Sequence, residues 1–142
     1  MRILGIDYGS RRVGLAVSDA LGIVALGLET LAYSGSLEEL LREIQEAARR
    51  HQVEEYVVGL PLNMNGTKGG KAKEVEAFAE SLKQATQLPV HLWDERLTTV
   101  LAERELSQFR LGPRKKKRLL DRISAQVILQ SYLDSRRSPS AP

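Results

Sequence analysis

The 142-residue chain has the length of one domain, and with 42% hydrophobic residues it can bury a sizeable core without covalent staples. It has no cysteine and only two histidines, His51 and His91, which excludes a disulfide framework or thiolate metal site and nearly excludes a zinc cage. The net charge of +3 is unevenly spread: eight basic residues from Arg96 to Arg118 face only Glu103 and Glu105, so the rest of the chain is net negative. Such a segment is either an electrostatic footprint for a polyanion or a solvated loop. No stretch approaches the roughly 18 apolar residues of a membrane span, and the first seven residues are too short and too soon acidic for a signal peptide. A soluble, cytoplasmic protein with no membrane partner is expected.

In chain order, residues 2–7 form a short β-compatible apolar run, and Val13, Leu15 and Val17 alternate within 12–18 at the period of a strand. Tyr8-Gly9-Ser10-Arg11 can turn between them, and residues 22–31 extend the hairpin into a three-stranded meander. Ser36 followed by Glu39 is a capping box, and Leu37, Leu40, Leu41, Ile44 and Ala48 continue at helical spacing to about residue 50. Residues 55–60 read as a buried strand closed by Pro61. Asn65-Gly66 would ordinarily signal a hairpin, but Val75, Phe78, Ala79 and Leu82 make the next segment helical. A strand at 89–93, a helix at about 98–107, a mobile basic loop at 110–116 and a final helix at 119–133 follow. Residues 135–142 are rich in Arg, Ser and Pro and are expected to be a disordered tail after a single domain at 1–134. Strands alternating with helices imply parallel crossovers, so the expected fold is α/β, a mixed sheet with helices on both faces.

Three acidic positions stand out. Asp7 ends an apolar strand on the face of Ile3 and Gly5, where a carboxylate costs desolvation unless partnered; it can also simply begin a turn. Asp94 and Glu95 follow the strand at 89–93 in the same way, with a helix cap as the alternative. Asp121 shares a helical face with Ala125, Ile128 and Tyr132, which puts it on the packing stripe, although a boundary Asp paired to Arg118 or Arg122 would read alike. Three carboxylates in one place repel one another unless a cation intervenes, and oxygen-only ligands suit Mg²⁺ or Mn²⁺. Beside a basic segment this pattern fits phosphodiester hydrolysis, in which one metal generates hydroxide and a second, about 4 Å away, stabilises the leaving oxygen.

Four stretches carry a resemblance. They are Asp7-Tyr8-Gly9-Ser10-Arg11-Arg12-Val13-Gly14, Val57-Val58-Gly59-Leu60-Pro61-Leu62-Asn63-Met64-Asn65-Gly66, Asp94-Glu95-Arg96-Leu97-Thr98-Thr99, and Asp121 with Ile128-Leu129-Gln130-Ser131-Tyr132-Leu133. In this order they resemble the YqgF family, described as pre-16S ribosomal RNA nucleases and as Holliday-junction-resolvase-like proteins, over nearly the whole chain. The resemblance implies an RNase H-like fold and a Mg²⁺ or Mn²⁺ site whose catalytic ligands are Asp7, Glu95 and Asp121. It places Asn63 near a phosphate, Arg11, Arg12 and Arg96 toward the substrate backbone, and Arg114, Lys115, Lys116, Lys117 and Arg118 as a longer-range clamp. The 59–66 segment can equally be a turn built by Pro61 and Asn65-Gly66. Ser124, Gln126 and Leu101 depart from the family pattern, which bears on packing and substrate preference rather than on the ligands.

The function so implied is processing of the 5′ end of pre-16S ribosomal RNA by a monomer or homodimer. A resolvase of branched DNA, which needs a dimer for symmetric cuts, is the alternative of the same chemistry. A non-catalytic RNA-binding module with structural carboxylates is the alternative of another class. Asp7-x-Gly9-x-Arg11 also resembles the first phosphate loop of actin-like and sugar-kinase ATPases, but 142 residues leave no room for their second lobe.

Overall fold

A computed structural model of the chain describes residues 1–96 and 108–137, apart from the side chains of residues 120–122 and 137. The expected helix at 98–107, Leu101 and residues 138–142 lie outside the described residues. The elements run β1 (Arg2–Tyr8), β2 (Arg12–Ser18), β3 (Ala25–Ala32), α1 (Leu37–Arg50), β4 (Val53–Leu60), α2 (Gly70–Thr86), β5 (Val90–Asp94) and α3 (Pro113–Arg137). The five strands form one sheet in the order β3-β2-β1-β4-β5. β1, β2 and β3 are the antiparallel meander, while β1, β4 and β5 are mutually parallel, as the alternation of strands and helices requires.

Alternating side chains divide the core into two layers. Leu4, Ile6, Val13, Leu15 and Val17 face one side, where α1 supplies Leu40 and Ile44 and α2 supplies Val75, Phe78 and Leu82. Ile3, Ala16 and Val57 face the other, covered by Ala125, Ile128, Leu129 and Leu133 of α3. The start of α1 follows the capping logic: the Glu39 amide donates to Ser36 Oγ at 3.3 Å.

The basic segment differs from the expected loop. Gly112-Pro113 does not lie within a mobile loop but begins a helix, because Pro at the first helical position has no amide to lose and already holds a helical φ. The Lys116 amide donates to the Gly112 carbonyl at 2.9 Å, so Arg114, Lys115, Lys116, Lys117 and Arg118 occupy the first turns of α3. At its other end α3 runs to Arg137, past the expected start of the tail at Ser135. Arg136 Nη1 donates to the buried Glu55 carboxylate at 2.6 Å, and His91 Nε2 lies 2.9 Å from the other Glu55 oxygen. Tyr132 stacks on His91 and meets Trp93 edge-on, with centroids 5.6 Å apart in both pairs.

Gln126 and Gln130 tie the middle of the helix to the sheet edge. Gln130 accepts from the Ala25 amide and donates to the Ile23 carbonyl, both at 2.9 Å, and Gln126 donates to the Ala25 carbonyl at 3.1 Å. This polar zipper gives the departure at Gln126 a structural reason: it satisfies backbone groups of the edge strand. Anchored in this way, α3 runs antiparallel to β1 and carries its N-terminal half over the carboxyl end of the parallel strands.

Candidate active site

Ligand sites of open α/β sheets lie at the carboxyl ends of parallel strands, and here the acidic residues gather at that end. Asp7 is the penultimate residue of β1, opposite Gly14 of β2, and Asp94 closes β5 opposite Leu60 of β4, so Glu95 emerges beside Gly59. Asp7 lies on the α3 face: a Cβ built on Gly14 would stand 3.7 Å from the Asp7 Cβ and 3.5 Å from the Ala125 Cβ.

Glycines bring the helix down onto this end. A Cβ on Gly5 would lie 2.7 Å from the Leu129 Cβ and 3.2 Å from the Ala125 carbonyl oxygen, distances closer than ordinary contact, so only glycine admits the helix at this depth. A Cβ on Gly59 would lie 2.6 Å from Ile128 Cδ1 and 2.9 Å from Glu95 Cγ and would collide with Glu95 Oε1. The Glu95 side chain is therefore folded over bare β4 backbone, and Ile128 of α3 closes on the same glycine.

That position sets its acidity. Burial is the main cause pushing the Glu95 carboxyl up to about 7, and the negative charge of Asp7 adds to it; Lys71 opposes the rise and Asp94 contributes in the same sense as Asp7. Asp94 behaves in the opposite way, held below the ordinary carboxylate range by the Arg96 guanidinium. Arg96 Nη2 donates to Asp94 Oδ2 at 2.7 Å, its Nε lies 3.1 Å from both oxygens, and its amide donates to Oδ1 at 3.0 Å. Two adjacent acids thus differ in kind: Asp94 is bound to a guanidinium, whereas Glu95 lies within the field of Asp7.

Arg96 also reaches across to the 61–69 loop, donating from Nη1 to the Met64 carbonyl at 3.1 Å. The loop is braced from within. Asn65 Oδ1 accepts from the Thr67 amide at 3.0 Å and from its hydroxyl at 2.6 Å, and Gly66 turns the chain at φ 86°. Asn63, expected near phosphate, donates from Nδ2 to Thr67 Oγ1 at 2.9 Å. Arg11, in the β1–β2 turn, and Arg12, the first residue of β2, are exposed, and the Gly9 amide closes the turn onto the Arg12 carbonyl at 3.0 Å.

Asp121 belongs to α3 one turn before Ala125, and its side chain lies outside the described residues. Among the described residues, no three metal-ligating side chains form one group. Arg114, Lys115, Lys117 and Arg118 are exposed and Lys116 is half-buried. Lys71, at the start of α2, was not singled out by sequence reasoning; it lies 5.1 Å over the ring of Tyr8, the neighbour of Asp7. Its only local signal is its place after Gly69-Gly70, just ahead of an apolar stripe.

No described helix is long and apolar enough to cross a membrane. Relatives along nearly the whole chain carry the name "Putative pre-16S rRNA nuclease", two of them as follows. The one from Clostridium acetobutylicum is 44% identical over 135 residues, spanning 95% of this chain and 99% of its own. The one from Syntrophomonas wolfei is 48% identical over 134 residues, spanning 94% of each chain. Among solved structures, RuvC of T. thermophilus in complex with a Holliday junction substrate is similar in fold, with a TM-score of 0.67 at 16% identity over 99% of this chain and 98% of that one. The mixed sheet with its helices is accordingly an RNase H-like fold. Residues 1–135 match the family model RuvX, described as Holliday junction resolvase, and with such relatives along nearly its whole length the chain belongs to that family of nucleases.

Proposed function

We propose that this nuclease cleaves phosphodiester bonds in the 5′ region of pre-16S ribosomal RNA, using Mg²⁺ or Mn²⁺ held by Asp7, Glu95 and Asp121. The observation that carries the metal reading is the half-buried Glu95 within the field of Asp7. A like-charge pair at the open end of a sheet is costly, and a hard divalent cation removes that cost. Carboxylate oxygens alone are the donor set such cations prefer. When bound, the cation supplies a Lewis acid for the phosphate and a means of ionising water near neutral pH.

The chain's own residues do the rest. Gly59 leaves the space over β4 that the Glu95 side chain occupies, and Asp94 orients Arg96, which holds the 61–69 loop through Met64. The exposed cations of α3 draw the phosphate backbone toward the same end of the sheet. Five cations in the first turns oppose the helix dipole, an arrangement that a polyanion compensates. The nuclease domain on this reading comprises the sheet and its covering helices, acts in the cytoplasm and is a monomer or homodimer. RNA is preferred as substrate because the relatives' name specifies it. The description of the family model favours branched DNA as the second reading.

Cleavage of single-stranded RNA, a pre-16S fragment and a four-way DNA junction, each with Mg²⁺, Mn²⁺ or chelator, tests this. Asp7→Asn should lower cleavage by more than the roughly 10–100-fold seen for outer-shell changes at metal sites, with binding retained. Equal cleavage by both proteins would mean that the carboxylates are structural and the metal reading is wrong. Cleavage of the junction alone would move the substrate to DNA.

A further inference from the structure

Lys71 stands in the first turn of α2, a position where the helix dipole disfavours a cation. Among the described residues its ion pair is with Glu74, which at 3.8 Å is long and partly exposed. What holds the ammonium in place is the face of Tyr8, 5.1 Å away. That ring is itself fixed, stacked on Phe78 with centroids 4.2 Å apart and tilted against Tyr33 at 5.8 Å.

Alternation along β1 turns Tyr8 toward the α2 layer and Asp7 toward the α3 layer. A cation seated on Tyr8 therefore rises beside the end of β1, across the strand from the carboxylates, and its field reaches Glu95. The approach to Lys71 is also constrained. It follows the 61–69 loop, which is braced by Asn65 and Thr67 and tied to β5 through Arg96. The basic turns of α3 lie on one side of the sheet and Lys71 comes from the other, so a strand lying over the sheet end would have cations on both flanks.

We propose that Lys71 is a phosphate-binding residue of this site, contacting a phosphodiester oxygen of the bound strand from the α2 side of the sheet. The proposal rests on the carboxylate reading for its location, and phosphodiester oxygens are common to RNA and DNA. The contact is electrostatic and adds to ground-state binding, so its loss acts on affinity before turnover.

The test uses the full chain with Lys71→Met, Lys71→Arg and, as a charge-matched control on the same helix, Lys73→Met. Binding of a short fluorescent single-stranded RNA and of a four-way DNA junction is titrated in chelator across a range of salt, and cleavage is measured with Mn²⁺. Lys71→Met should weaken binding and flatten the RNA salt slope by about 0.7, the value of one phosphate contact on a single strand. It should raise KM by more than it lowers kcat. Lys71→Arg should restore the slope, and Lys73→Met should leave it near wild type. A flattened slope on RNA, on the junction or on both supports the contact and identifies the strand. A slope unchanged on both, or equal losses for Lys71→Met and Lys73→Met, overturns it. Because binding is read without metal, the outcome is separate from that of Asp7→Asn: an active Asp7→Asn protein refutes the carboxylate site, whereas an unchanged Lys71→Met slope refutes only this contact.

Discussion

Replacing Glu95 with Gln should make the metal-free protein more stable and the enzyme inactive, and the gain should depend on pH. In the folded chain the Glu95 carboxyl is pushed from its ordinary value of 4.5 up to about 7. A raised carboxyl favours the protonated form. Its contribution to stability is therefore fully present below about pH 4.5 and is lost as pH rises through about 7. Linkage between those two values makes wild type lose roughly 2–3 kcal/mol between about pH 5 and pH 8 through this group, a ceiling because the side chain is only half-buried. Glutamine has nearly the same shape and no charge to lose. Thermal unfolding of both proteins in chelator, at both pH values, isolates Glu95 together with its coupling to Asp7, because titrations that do not sense Glu95 cancel in the difference. The advantage of Glu95→Gln should grow by roughly 5–10 °C between the two conditions. Adding Mg²⁺ or Mn²⁺ should raise the wild-type Tm, more so at the higher pH where the ligand is ionised, and should act weakly on the variant. An advantage that is the same at both pH values, or a wild type whose Tm ignores the metal, would refute the account of a carboxylate strained by burial and by Asp7.

Glycine substitutions should separate the roles of the sheet floor. Gly59→Ala meets movable side-chain atoms of Glu95 and Ile128, so it should cost about 1–2 kcal/mol yet strongly reduce cleavage by displacing Glu95. Gly5→Ala meets the Leu129 Cβ and a backbone carbonyl, and should cost about 3 kcal/mol because the helix itself must shift; urea unfolding together with cleavage rates checks both. Asp94→Asn should cost only about 1 kcal/mol, since the pair with Arg96 is partly exposed, but it should speed hydrogen exchange at Gly66 and Thr67 as the loop loses its tie to Arg96. Unchanged exchange there would remove the positioning role of Asp94. Neutralising Lys115, Lys116 and Lys117 together should flatten the RNA salt slope by about 2 and leave stability the same or slightly higher, because three cations no longer oppose the helix dipole. A fall in stability without a change of slope would show that these lysines serve the fold alone.

Much of this was legible locally. The alternation of Val13, Leu15 and Val17, the stripe from Leu37 to Ala48 and the cap at Ser36 are encoded within a few residues of one another, because strand and helix periods depend only on neighbouring side chains. The acidic motifs at Asp7 and at Asp94-Glu95 were visible for the same reason, as charges interrupting apolar runs. The basic segment at 110–116 reads locally as a loop, and only the hydrogen bond of the Lys116 amide to the Gly112 carbonyl makes Gly112-Pro113 the start of a helix. The sequence by itself determined the order of the described strands and helices, the two-sided mixed sheet and the acids at strand ends. Tertiary structure alone decided which acid binds Arg96 and which lies near Asp7, why Gly5 and Gly59 must be bare, and that Lys71 sits beside Tyr8. Each of those facts is a distance between segments that meet only when the sheet closes, where burial and charge over a few ångströms assign roles that no local spacing encodes.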